Sequence, residues 1–213
     1  MFRGVVLLFI VAFPAWGAPV VGCGPAIAAA EQAEGTAPGL LAAIGVVESG
    51  RRDARTGLRA PWPWTVTAEG VGTFYRDKAQ AILAVRGLQA LGITSVDVGC
   101  MQVNLMHHPA AFLSLEAAFE PSTNARAAAR FLGALFKRLG TWPAAAAGYH
   151  SLTPTLGAEY GRLIAAVWGG APVPVVAGPG GTEIVRFPGG GQMRLVRDEA
   201  VGPGRVLGYL SGP

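Results

Sequence analysis

PGLLAAIGVVESG, residues 38–50, is the stretch that decides how this chain is read. Leu40, Leu41, Ile44 and Val47 recur at helical spacing and predict a helix from Pro38 to Glu48. Thr36 is the expected cap, Pro38 suits the first turn, and Ser49-Gly50 ends the helix. Leu41, Ile44 and Glu48 fall at i, i+3 and i+7, so the carboxyl group projects from the apolar face. It also stands in the last turn, where the helix dipole disfavours an anion. Two local rules are broken at one position, and such conflicts gather at functional sites. A carboxyl group set against apolar neighbours keeps its proton to higher pH. The plain alternative is a rim glutamate paired with Arg51 or Arg52.

Around this helix the pattern is mostly helical. Cys23 to Glu34 is an Ala-rich helix. Asp77 caps a helix with Ile82, Leu83, Leu88 and Leu91 expected inward and Gly92 at its end. Ser114 starts a short helix that stops before Pro121. Asn124 to Leu139 carries a stripe of Ala128, Phe131, Leu132, Leu135, Phe136 and Leu139. Trp142 to Tyr149 is short and Ala-rich. Thr153-Pro154 opens a last helix, with Leu156, Tyr160, Leu163, Ile164 and Val167 inward. Between them, Pro61 to Tyr75 reads as a β-hairpin flap turning at Glu69-Gly70, and Val96 to Asn104 is a tight segment around Gly99. The fold class is therefore mainly α, an α+β arrangement of helices with a hairpin flap. From Gly169 onward Gly and Pro recur without helical period, which predicts a flexible tail over 169–213 with a candidate hairpin at 183–197.

The first residues set the compartment. Arg3 precedes an apolar run from Gly4 to Phe13, too short to span a bilayer, which takes about 20 residues. Ala15-Trp16-Gly17 then supplies small residues for cleavage, so residues 1–18 read as a signal peptide and 19–168 as the domain. The expected location is periplasmic or secreted, with no transmembrane segment in the mature chain. Val20-Val21-Gly22-Cys23 is an alternative lipidation box, but it lies far downstream of the apolar run.

Of 213 residues, 51% are hydrophobic and only 14% charged, which excludes a wholly disordered chain. The net charge of +4 comes without a dense basic stripe, which argues against nucleic acid and suits an anionic polymer such as a cell wall. His107-His108 are adjacent and share no helical face, and no third ligand has metal-site spacing, so no metal and no cofactor are expected.

Glu48-Ser49-Gly50 after the apolar helix resembles the catalytic Glu-Ser motif of lytic transglycosylases, the SLT-type domain with a goose-lysozyme-like fold. Gly99-Cys100-Met101-Gln102-Val103-Asn104 resembles their second motif, and Ala147-Gly148-Tyr149-His150-Ser151 their third. The three stand in the family's order, from about Cys23 to Trp168. His150 departs from the Asn usual in the third motif. The insert from Arg51 to Val98, with Trp62 and Trp64, resembles a subgroup associated with envelope-spanning secretion machinery.

That resemblance implies peptidoglycan as partner, cut at the β-1,4 bond between N-acetylmuramic acid and N-acetylglucosamine. Glu48 would protonate the leaving oxygen, then act as base on the muramyl 6-hydroxyl, which closes a 1,6-anhydro ring. An internal nucleophile removes the need for a second catalytic carboxylate, so Asp53, Glu69 and Asp97 are not required, and Asp97 reads as a turn or cap residue. Ser49, Met101, Gln102, Asn104, Tyr149, His150 and Trp64 are the implied substrate contacts, with the Tyr149 hydroxyl expected to orient Glu48. Trp62, Phe74 and Tyr75 join Trp64 as candidates for stacking on sugars. The rivals are a hydrolytic lysozyme and a non-catalytic wall-binding protein of a secretion apparatus. Cys23 and Cys100 are the only cysteines, the expected compartment is oxidising, and related sequences of the subgroup look similar in carrying both, so a disulfide between them is expected.

Overall fold

The computed structural model describes residues 22–54, 56–171, 175–178, 183–186 and 192–197. The expected signal peptide lies outside them. In chain order come α1 (Cys23–Glu34), α2 (Leu40–Ser49), β1 (Gly50–Arg52), β2 (Arg59–Pro61), β3 (Thr65–Ala68), β4 (Val71–Phe74) and α3 (Lys78–Ala90). There follow β5 (Val96–Val98), β6 (Val103–Asn104), α4 (Leu115–Ala118), α5 (Pro121–Leu139), α6 (Trp142–His150) and α7 (Pro154–Trp168). The last three elements are β7 (Val175–Ala177), β8 (Glu183–Arg186) and β9 (Gln192–Arg197).

α2 starts two residues later than its sequence pattern predicts, and Thr36 does not cap it. The Thr36 hydroxyl turns back to the Glu31 carbonyl. Glu31 of α1 caps instead: its carboxylate accepts from the backbone N–H of Gly39 at 3.2 Å, Leu41 at 2.7 Å and Ala42 at 3.2 Å. An anion there meets the positive end of the dipole and otherwise orphaned donors. This joins α1 to the helix that carries Glu48.

The helices enclose one core, built from Ile27 of α1, Leu40, Leu41, Ile44 and Val47 of α2, Leu132 of α5, Ala145 of α6, and Tyr160 and Ile164 of α7. The Cys23–Cys100 disulfide, with Cα atoms 5.6 Å apart, pins the start of α1 to the segment between β5 and β6. A second, smaller core lies between the sheet and α3, from Val66, Val96 and Val98 against Ala81, Ile82, Val85 and Phe119. α3 turns Ile82 and Leu88 inward as expected, but Leu83 and Leu91 face solvent while Ala81 and Val85 take inner positions. Asp77 caps it as expected, accepting from the Gln80 N–H. Ser114 likewise caps α4. α5 begins three residues earlier than predicted, with Pro121 in the first turn. Leu139 and Leu156, expected inward, are exposed because they fall at helix ends beyond the packed faces.

The flap is the expected hairpin. β3 and β4 pair antiparallel through Glu69-Gly70, both at positive φ, the turn that matches strand twist. The sheet order is β6-β5-β3-β4-β9-β8-β7. The candidate hairpin at 183–197 is present as β8 paired with β9. It does not stand apart from the domain: β9 pairs in parallel with β4, Val71 opposite Arg194 through Phe74 opposite Arg197. β7, in the part expected to lack regular structure, pairs with β8. These segments of the expected tail extend the flap sheet.

Candidate active site

Glu48 is half-buried in the last turn of α2. Its Oε1 accepts a hydrogen bond from the Tyr160 hydroxyl at 2.5 Å. Tyr160 is fully buried on α7, so its hydroxyl needs a partner and finds it in this carboxyl group. The Glu48 pKa rises to about 8: burial is the main cause, the Tyr160 bond opposes it, and the charge of Asp97 adds to it. Burial and the charge of Glu48 push the Tyr160 hydroxyl well up, so it remains a donor. The His150 ring stacks on Tyr160 with centroids 4.9 Å apart and planes 12° from parallel. Burial lowers the His150 pKa, which favours a neutral ring beside the pair. His150 therefore braces the tyrosine that holds Glu48.

The expectation that Tyr149 orients Glu48 through its hydroxyl is corrected. That hydroxyl donates to the Met101 carbonyl at 2.8 Å, because the α6 register turns it toward the β5–β6 segment. Burial, and after it the charges of Glu48 and Asp97, push the Tyr149 hydroxyl well up. Tyr160, 112 residues from Glu48 in sequence, was readable only as a stripe residue; a hydroxyl on a buried stripe was the available signal.

Ser49, Met101 and Gln102 were expected to touch substrate, and the structure has all three buried. Ser49 is fully buried, donates to the Cys100 carbonyl at 2.6 Å and accepts from the Trp62 N–H at 3.2 Å. Met101 is fully buried in the helical core. Gln102, at positive φ, receives the Thr67 hydroxyl on Oε1 and donates Nε2 to the carbonyls of Thr65 and Gly99. All three fasten α2, the flap and the β5–β6 turn to one another. The reason is geometric: the motif lies at a turn whose side chains point inward. Gly99 at its head has φ +81, and a Cβ there would stand 2.5 Å from the Asn124 amide nitrogen. Asn124, missed by sequence reasoning, is fully buried; it accepts from the Met101 N–H at 2.8 Å and donates to the carbonyls of Val98 and Ala118.

Asn104 is half-buried and donates to Asp97 Oδ1 at 2.8 Å and to the Ser95 hydroxyl, while accepting from the N–H groups of Met106 and His107. Asp97 is no turn or cap residue: it is the middle residue of β5, half-buried, with its pKa raised to about 6, chiefly by burial. Trp64 is half-buried and meets Trp62 edge-on, centroids 5.2 Å apart. Trp62 donates its indole N–H to the Tyr75 carbonyl and carries the Arg51 guanidinium 3.3 Å above its ring. Phe74, named for sugar stacking, is buried in the sheet. His108 packs edge-on to Phe131. Among the described residues no three His, Cys, Asp or Glu side chains come together as a metal site. No helix among them is long and apolar enough to cross a membrane.

The arrangement can donate a proton at neutral pH from a carboxyl group that a buried tyrosine then stabilises as an anion. The family model described as transglycosylase SLT domain matches residues 25–158, which include all three motifs. No curated protein and no solved structure matches the chain. By that match, over more than half its length, the chain belongs to the transglycosylase SLT domain family, lytic transglycosylases that cleave glycosidic bonds of peptidoglycan.

Proposed function

We propose that Glu48 is the single acid and base of a lytic cleavage between N-acetylmuramic acid and N-acetylglucosamine. The observation that carries the reading is a carboxyl group in the last turn of α2 that is hydrogen-bonded by the buried Tyr160; burial pushes its pKa up to about 8. At neutral pH it holds the proton that the leaving glycosidic oxygen needs. Proton transfer breaks the C1–O bond and leaves a carboxylate, and the Tyr160 hydroxyl stabilises that charge. The carboxylate then takes the proton of the muramyl 6-hydroxyl as its oxygen closes on C1. The product is a 1,6-anhydromuramyl end, and Glu48 is again protonated for the next cut. Trp64, on the flap that follows α2 in the chain, and His150, stacked on Tyr160, are the substrate contacts we retain from the sequence reading.

The leader over residues 1–18 directs the chain to the envelope in this reading, where the substrate lies. The Arg51–Val98 insert supports local wall opening for a secretion machine. Product mass is the test. Purified wall digested by the enzyme should yield muropeptides one water lighter than reducing ends; products with reducing ends would make it a hydrolase.

A further inference from the structure

A second hairpin leaves the end of α2, and the cleavage scheme above does not use it. β1 starts two residues after Glu48 and pairs with β2, with Gly50 opposite Pro61, Arg51 opposite Ala60 and Arg52 opposite Arg59. Its base is fastened to the neighbour of Glu48: the Trp62 N–H donates to the Ser49 carbonyl at 3.0 Å as well as to the Ser49 hydroxyl. Farther out, the Asp53 N–H donates to the Leu58 carbonyl at 2.8 Å, and Asp53 Oδ1 accepts from the N–H and hydroxyl of Thr56. Those two cross-strand bonds lie four residues apart on each side of the hairpin. The alternation of an antiparallel ladder therefore makes Arg52 and Arg59 a non-hydrogen-bonded pair, the kind whose side chains stand closest. Like charges directly opposite are destabilising. The two guanidinium groups part along the strands. Arg59 reaches back to donate to the Gly50 carbonyl, and Arg52 lies against Gly57, where a Cβ would stand 3.4 Å from Nη2. Alternation turns Arg51 to the other face, where its guanidinium covers the Trp62 ring. Three guanidinium groups thus stand beside one carboxylate, Asp53, so positive charge remains whatever Asp53 pairs with. Arg52 is exposed, and among the described residues no ion pair includes it.

We propose that this hairpin is a docking site for the carboxylates of the peptide stems that the wall glycan carries, with Arg52 the principal contact. The inference deepens the proposed cleavage and rests on it for the strand lying beside Glu48. Muramyl and glucosaminyl sugars joined to their stems are uncharged, so the negative charge of the strand sits on the peptides. A stem hangs from the muramyl sugar, on one side of the bond that Glu48 would break. Arg52 stands four residues after Glu48, so their Cα atoms are at most about 14 Å apart, a span that a few extended peptide residues cover. A guanidinium fork takes a carboxylate through paired N–H donors. A like-charge pair kept at the base of the site, against local stability, is a conflict of the kind that function explains.

Arg52→Gln removes the charge and keeps an exposed polar side chain. Two substrates are compared: purified wall, and the same wall with its carboxylates converted to amides by carbodiimide and ammonia. Wild type should cut the untreated wall faster. Arg52→Gln should reduce that preference about three- to fivefold, the size of an exposed ion pair, and through KM rather than kcat because the contact is remote from the breaking bond. Its melting temperature should not fall, since a like-charge pair is relieved. A wild type without preference overturns the proposal, as does a preference that the variant keeps. An equal loss on both walls overturns it too, since that would mark a residue of the fold. Sedimentation with each wall needs no turnover: more wild type should pellet with the untreated wall than with the amidated one, and Arg52→Gln should lose the difference. Should wild type cut neither wall yet pellet with the untreated one through Arg52, the cleavage reading fails and the docking site stands. Cleavage with 1,6-anhydro products but no carboxylate preference defeats the docking site alone.

Discussion

The Tyr160 hydroxyl meets Glu48 Oε1 at 2.5 Å, a bond that in the proposed reaction lets one carboxyl group serve as both acid and base. Burial alone would hold the proton and leave a poor anion. The tyrosine lowers the cost of the anion without removing the proton at neutral pH, since burial remains the larger effect.

Tyr160→Phe should therefore keep the fold, because the ring still fills its place in the core. A hydrogen bond to a charged group contributes roughly 1.5–3 kcal/mol, so turnover should fall about tenfold to a hundredfold. The sign of the pH effect follows from the lost bond. Tyr160 lowers the Glu48 pKa, so its removal moves the alkaline limb up, above about 8. Steady-state rates from pH 5 to 9.5 check this; unchanged rates with an unmoved limb would show the bond to be inert.

The disulfide closes a separation of 77 residues and joins α1 to the turn under the site. In the chain-entropy model that contributes about 4 kcal/mol. The paired Cys23→Ser and Cys100→Ser variant should melt roughly 10 °C lower, as should the wild type in reductant. A melting temperature that ignores both changes would show the bridge to be unnecessary for the fold.

Truncation after Trp168 removes β7, β8 and β9 and leaves the outer edge of β4 without its parallel partner. Among the described residues the helical core draws on none from that region, so helical circular dichroism should persist. The flap should suffer: faster proteolysis within residues 61–75 and a tendency to associate through the bare edge. Equal proteolysis rates for the two chains would show that β9 gives the flap no support.

The hairpin turn, the capped helix at Asp77 and the misplaced carboxyl group were legible because each is a local pattern. Glu48 on an apolar face announced itself within eleven residues of sequence. Its partner did not, since Tyr160, Leu163 and Ile164 all read as one inward stripe and periodicity cannot say which residue meets Glu48. The second motif told which residues lie together but not which way they point. Ser49, Met101 and Gln102 therefore looked like cleft residues, whereas the structure has them buried and packed or bonded between α2, the flap and the β5–β6 turn. Asn124 read as the start of a helix, yet it is the buried hub of the Gly99 turn. The β4–β9 pairing joins strands more than a hundred residues apart in parallel, and no turn signal announces such a pairing.

Glu48→Gln tests the central claim most directly. The change keeps size and a hydrogen-bond acceptor for Tyr160 and removes the proton that titrates. With circular dichroism confirming the fold, release of soluble muropeptides from purified wall should fall by about a thousandfold or more. Release near the wild-type rate from the folded variant would contradict the account, because the proton would then have to come from another group.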